Sequence, residues 1–588
     1  MDSTGKKEPQ VVVNRPKVYE SEDKLVIGLD FGTTFSGIAY AFSNERKPDL
    51  VSIMDWPGLE GNKQPKVPTV ICYDEADKTK FTWGGMKHPR EVVPGIKLLL
   101  DPDQPGPLYL PESSAKSDLK SLGKPAVDVA ADFIGAMYKH AISRIESKVP
   151  SDYLEMCQKQ FVLSVPAVWS DKAKNKTLQA AKRAGIHPIS LIKEPEAAAM
   201  YTLHGLKDKM LAVGDAFVIC DAGGGTVDLI SYEITALSPK LELKKLVPGK
   251  GGMVGSLGLN KRFEQSVKEL VGEDQYYHLQ KTTGFAQATP QFDRSIKTAF
   301  RGSAEEDYFV NFPMAKLKND PVNNLEANFW NIKGDDAKKI FDPLINDIER
   351  LVEEQVNLVT VKRMSEGHPK ATEVKAIFLV GGFGSSEYLK ARLQGLHKNI
   401  QIIQPHDAWS AIVKGAVLSQ LPQEASVVST QSLRHYGVSA MCEFDPKNDE
   451  DHLRVFSAPE GIDRVERMTW YIHKGEDLQR EQTIHFPFFH SLAVNYTPDD
   501  LIFSDELIQS ESKDPPLYPA KGSTSTNCVL EAYLKTVDPS KFKKKTGADG
   551  KEYHDVFYEL AVTMKPATMR FALTFKGEEM GSLEANYD

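Results

Sequence analysis

From Lys24 to about residue 422, apolar positions alternate between two rhythms. Short solid runs such as "FVLSVPAVW" (161–169) and "ISLIKEP" (189–195) read as buried strands. They are followed by stretches with helical spacing. "SDKAKNKTLQAAKRAG" (170–185) has Ser170 or Asp171 as N-cap and Gly185 just past its end. "EAAAMYTLHG" is a second helix, and "FDPLINDIERLVEEQVNLVTVKRM" (341–364) places Leu344, Ile345, Ile348, Leu351, Val352, Val356 and Val359 on one face. Strands alternating with helices predict an α/β fold with a buried sheet. After about residue 424 the helical rhythm gives way to β-type runs, among them "LRHYGVSAM", "RMTWYIHKG", "NCVLEAYL" and "DVFYELAVTM", separated by turn residues. The pattern divides the chain into a polar tail, 1–22, an α/β region, 23–424, and a smaller β-rich region, 425–588.

Two stretches repeat one design. "LVIGLDFGTTFSGIAYAF" (25–42) and "FVICDAGGGTVDLISYEI" (217–234) each run apolar strand, aspartate, glycine with threonine, second strand. Glycines let a turn bring backbone N–H groups close to a ligand, and successive amides form a concavity for anions. Thr33, Thr34 and Thr226 add hydroxyl donors. Asp30 and Asp221 would repel a phosphate unless a hard cation such as Mg²⁺ lay between. Either stretch alone fits an ordinary hairpin equally well; the repeat favours two loops gripping one polyphosphate. A third glycine turn, Gly381-Gly382-Phe383-Gly384 in "FLVGGFGSSEYLKARL" (378–393), ends a buried strand, where nucleotides lie against α/β sheets.

The remaining bulk properties narrow the class. At 588 residues the chain is too long for one core. Its net charge of −9 argues against a nucleic-acid partner. The 5 scattered cysteines, with no CxxC pair, predict free thiols and a reducing, cytoplasmic or nuclear setting. No apolar run is long enough to predict a membrane span. The lysines 543–545 read as a solvated loop.

In this order the motifs resemble the nucleotide-binding domain of the heat-shock-70 (DnaK-type) chaperones, in the actin-like ATPase superfamily. "GLDFGTTFSGIAY" is similar to that family's first phosphate loop, "DAGGGTVDL" to its second, "LIKEPEAAAMYTLHG" to its connecting segment and "LVGGFGSSEYLKARL" to its adenosine motif. The resemblance implies a two-lobed fold built on ribonuclease H-like repeats, with ATP/ADP and Mg²⁺ as ligands. It implies metal positions at Asp30 and Asp221, and phosphate contacts from Gly32, Thr33, Thr34, Gly223, Gly224, Gly225 and Thr226. Lys97, in "GIKLLLD", falls on an essential lysine of the family, and Glu194 and Asp228 on residues that position water. Asp221 and Thr226 belong to the same catalytic set, and Pro166 matches a proline that relays nucleotide state. Gly255 and Ser256, with Asp293 and Lys297 of "FDRSIKTAF", fall at the adenosine end.

Departures are as informative. Phe383 stands where the family has a small residue, and is expected to stack on adenine or fill the space beside it. "GSLGLN" (255–260) lacks two family acids, and "QEASVVSTQSL" replaces the acidic–leucine linker. This pattern resembles the divergent branch that includes the 12A and 12B proteins. The implied function is an ATP-dependent chaperone with slow hydrolysis, acting on unfolded polypeptides with co-chaperones. The alternatives are a non-catalytic nucleotide switch and a small-molecule kinase of the same superfamily.

Overall fold

The computed structural model describes residues 23–586 except 44–47, 90–91, 94, 102–118, 121–122, 168, 207–211, 238–240, 422–425 and 584. The expected tail, 1–22, lies outside the described residues.

Two large sheets share one plan. In the first, Lys24–Asp30 pairs antiparallel with Phe35–Phe42, which pairs antiparallel with Val51–Ser52. On its other side Lys24–Asp30 runs parallel to Gln158–Val165, and that strand parallel to Ile189–Lys193. In the second, Ala216–Ala222 pairs antiparallel with Val227–Ala236, and that strand with Glu242–Gly252. Ala216–Ala222 also runs parallel to Val374–Val380, itself parallel to Gln401–Ile403. The order and sense of five successive strands are therefore the same in both sheets. The inner strands are apolar along most of their length because both faces are covered; Ala216–Ala222 is buried at every position.

The helices that follow the two last parallel strands, Glu194–His204 and Ala411–Leu418, cross each other between the sheets. Gly415 permits this crossing: a Cβ there would sit 1.7 Å from the Ala197 carbonyl oxygen. Ser170, not Asp171, caps the helix Asp171–Arg183, its hydroxyl accepting from the Ala173 N–H at 3.1 Å. The long helix runs Gly334–Ser365, starting earlier than its apolar spacing suggests, with Asp335 and Asp336 in the first turn.

The β-type runs after residue 424 form strands of a 6-stranded and a 5-stranded sheet. Their inner faces share a core that includes Tyr436, Phe486, Leu507, Leu530, Tyr558 and Phe571. Two short strands of this stretch join the second large sheet. Ser426–Gln431 runs parallel to Glu242–Gly252, and Asp477–Gln479 pairs antiparallel with it. Contact with the first sheet's helices comes through buried Asp171, which accepts from the Tyr436 hydroxyl and the Asn527 amide, both at 3.0 Å. Among the described residues no helix is long and apolar enough to cross a membrane, and the five cysteines are unpaired.

Candidate nucleotide site

The equivalent hairpin turns of the two large sheets meet. A Cβ on Gly224 would lie 2.3 Å from Thr34 Oγ1, and one on Gly225 3.1 Å from Thr33 Cγ2. A side chain at Gly224 would force the turns apart, and one at Gly225 would crowd Thr33. Inside the first turn the Gly32 N–H donates to Ser36 Oγ at 3.2 Å, and a Gly32 side chain would collide with the Phe35 carbonyl. The second turn is braced from behind: the N–H groups of Gly255, Ser256 and Leu257 donate to the carbonyls of Gly225, Gly223 and Gly224 at 2.9–3.1 Å. Gly255 is thereby packed on the turn, and does not line the cavity.

Between the turns opens a cavity of about 1360 Å³. Its lining includes Asp30, Gly32, Thr33, Thr34, Lys97, Glu194, Asp221, Gly223, Gly224, Gly225 and Thr226, together with Ser256, Asp293, Lys297, Gly381 and Gly382. Residues from seven separate stretches of sequence thus converge on one space. Lys297 reaches Asp293 at 2.5 Å, one turn away on the same helical segment. Gly381 has a φ of 82°, and a Cβ there would sit 2.3 Å from Asp221 Oδ1. That glycine lets the third turn pass directly behind the aspartate.

The charges beside the paired turns form one network. Lys97 is 4% exposed, and its Nζ lies 2.5 Å from Glu194 Oε1. Burial and the neighbouring Asp30 and Asp228 push the Glu194 carboxyl up to about 7, against the pull of Lys97. Burial disfavours the Lys97 charge, but Glu194 and Asp30 hold its proton more firmly than usual. Asp221 is lifted well above the usual carboxylate range by burial, Glu194 and Asp228. Asp228 is raised by burial; it accepts at 2.9 Å from the hydroxyl of Thr226, which lines the cavity. Three carboxyls with raised proton affinity around one lysine form a site that can take up protons as an anion arrives.

Asp30 departs from this pattern. Burial would raise it, but Lys66 and then Lys97 hold it below the usual range. Lys66 Nζ lies 2.6 Å from Asp30 Oδ2, and the Ser164 hydroxyl donates to Oδ1 at 2.9 Å. Both carboxylate oxygens are thus engaged by protein groups. A divalent ion resident on Asp30 does not fit this arrangement.

Phe383 corrects the expectation attached to it. It is 4% exposed and belongs to the core of the second sheet, away from the cavity. The short helical turn Phe383–Ser385 rotates the ring under the strand, and Gly384 packs against Leu379. The aromatic rings that line the cavity include Trp409, beside Gly382, and Phe35, in edge contact at 5.3 Å between centroids. Lys66 and Trp409 escaped sequence reasoning. Neither lies in a glycine-rich string; strand pairing brings Lys66 to the cavity, and the helical turn Ala408–Ser410 brings Trp409. The one trace of Lys66 in the sequence is a lysine beside Pro65 and Pro68, an ordinary loop composition.

Paired glycine–threonine hairpins and a third glycine turn around a polar cavity define a nucleotide-binding protein with an actin-like ATPase domain. Residues 119–237 match the family model described as Hsp70 protein. Heat shock 70 kDa protein 12B of Homo sapiens is 25% identical over 534 residues, covering 75% of each chain. The human heat shock 70 kDa protein 12A is 25% identical over 526 residues, covering 74% of this chain and 75% of that protein. Chaperone protein HscA of Pectobacterium carotovorum is 30% identical over 222 residues, 35% of this chain and 32% of that protein. The chain is thus similar to the heat-shock-70 proteins 12B and 12A over about three quarters of its length, and to the Hsp70 family model over residues 119–237.

Proposed function

We propose that the chain binds ATP and ADP in this cavity, hydrolyses ATP slowly, and converts the difference into changed affinity for an unfolded polypeptide or co-chaperone. The observation that carries the reading is the contact of the two hairpin turns, Thr33–Thr34 against Gly224–Gly225, beside the cavity. Two turns of one design facing each other suit a polyphosphate held from both sides. We read the two large sheets as two lobes of one ATPase unit, 23–424, and 425–588 as the interaction region. Thr33, Thr34 and the glycine turns hold phosphate. The Lys97 ammonium stabilises charge on the transferring phosphoryl oxygens. Glu194, Asp228 and Thr226 orient the attacking water, and positioning supplies most of the acceleration. Mg²⁺ enters as the counter-ion of the nucleotide's own phosphates.

Coupling needs two states that differ in their contacts with both ligands. The β-rich region touches both sheets' neighbourhoods, through Ser426–Gln431 on one side and Tyr436 and Asn527 on Asp171 on the other. Any change in the angle between the sheets therefore strains this contact. The test is calorimetry of the full chain with ATP and with ADP, followed by single-turnover phosphate release. Wild type should bind both nucleotides, and release phosphate faster than Asp221→Ala or Lys97→Ala. Absence of binding at millimolar nucleotide would refute the reading.

The engagement of Asp30 by Lys66 favours a second reading, a nucleotide switch that binds without turnover. It predicts the same binding isotherms, with phosphate release no faster than in the two variants.

A further inference from the structure

The arrangement around Asp30 carries an inference that rests on the nucleotide reading. We propose that the Lys66 ammonium takes the place of a divalent cation beside Asp30, so that the cleft binds adenine nucleotide with little dependence on Mg²⁺.

Lys66 is built into the site. It is 5% exposed and reaches the cavity from the short strand Val67–Pro68, which pairs with Phe35 and Ser36 of the first hairpin. The Gln64 side-chain amide donates to the Lys66 carbonyl at 2.7 Å and fixes the turn that delivers it. Gly37 leaves room for its stem: a Cβ there would lie 3.1 Å from Lys66 Cγ and 2.8 Å from the Pro65 carbonyl oxygen. The ammonium then ends 2.6 Å from Asp30 Oδ2, with Ser164 on the other oxygen.

An ammonium offers three donors, and Asp30 uses one. The others suit phosphate oxygens, which lysine binds as a point charge. A divalent ion approaching Asp30 meets a fixed like charge in a buried setting, where screening is weak. It must either displace the ammonium or stay away. A tethered cation needs no recruitment from solvent, so phosphate charge is met whether or not free metal is present.

The experiment is calorimetric titration of the full chain with ATP, in excess MgCl₂ and in excess EDTA. Wild-type affinity is expected to differ by less than roughly threefold between the two conditions. Lys66→Gln should lose at least about tenfold in EDTA, equal to about 1.4 kcal/mol, and recover much of it in MgCl₂. Lys66→Arg keeps the charge and should behave closer to wild type. A wild type that weakens by about 100-fold in EDTA, with Lys66→Gln unchanged from it, overturns the inference and leaves the nucleotide reading standing. If Lys66→Gln does not fold, as judged by thermal melting, the two wild-type titrations decide alone. Wild type that binds ATP in neither condition refutes the nucleotide reading and this inference together.

Discussion

Replacing Asp505 by asparagine is expected to stabilise the C-terminal sheets at alkaline pH and to do nothing in acid. The strand Ile502–Ser510 alternates, and Phe503, Asp505 and Leu507 turn inward. A carboxylate thus sits among core side chains. The Tyr558 hydroxyl donates to Asp505 Oδ2 at 2.6 Å, and the His490 ring stacks on Phe503 at 4.2 Å between centroids. Burial pushes the Asp505 carboxyl up from 3.8 to about 6, although the Tyr558 hydrogen bond pulls the other way. The folded state therefore holds this proton more tightly than the unfolded state. The resulting stabilisation is fully present below pH 3.8 and is lost as pH rises through about 6. A shift of that size corresponds to about 3 kcal/mol. Asparagine keeps an acceptor for Tyr558 and removes the buried charge. The gain at pH 8 should be about 2–3 kcal/mol, falling to near zero at pH 4. His490, whose proton affinity burial lowers, trends oppositely with pH. Subtracting wild type from variant at each pH removes that contribution. Hydrogen exchange read by mass spectrometry on peptides spanning 502–510 and 552–564 gives the local opening free energy in the full chain. A difference that does not change with pH, or a variant less stable at pH 8, would show that Asp505 is not held as a buried acid.

Lys97→Met should lower stability more at pH 8 than at pH 5, because the Glu194 carboxyl, already pushed up to about 7, meets the loss of its partner by protonating in acid; adding Glu194→Gln should remove that pH dependence in a double-mutant cycle read by urea denaturation. Phe383→Leu should lower stability by about 1 kcal/mol while leaving ATP affinity within twofold of wild type; a large loss of affinity would return the ring to the adenine. Gly381→Ala forces an L side chain into positive φ against Asp221, and calorimetry should show at least about tenfold weaker nucleotide binding. Asp171→Ala removes the shared acceptor of Tyr436 and Asn527 and should speed hydrogen exchange in 435–443 and 525–533 without altering exchange across 374–380.

The amino-acid sequence by itself determined the local pieces. The apolar runs, the caps at Ser170 and Gly185, and the glycine–threonine turns are set by residues near each other in the chain, so their spacing is enough to read them. The repeat of Asp30 and Asp221 before equivalent turns was legible for the same reason. The tertiary structure decided what those pieces face. Phe383 lies in the core and Trp409 lines the cavity, because a short helical turn buries the first ring, which adjacent residues do not announce. Lys66 reached Asp30 only through the pairing of Val67–Pro68 with the first hairpin. The strand Ser426–Gln431, read as the start of a separate region, belongs to the second large sheet because its backbone partner, Glu242–Gly252, lies far away in sequence. Side-chain identity and spacing fix turns and periodicity. Which buried charge neutralises which is fixed only when sheet pairing brings distant residues within a few ångströms, and here that pairing placed a lysine where a metal was expected.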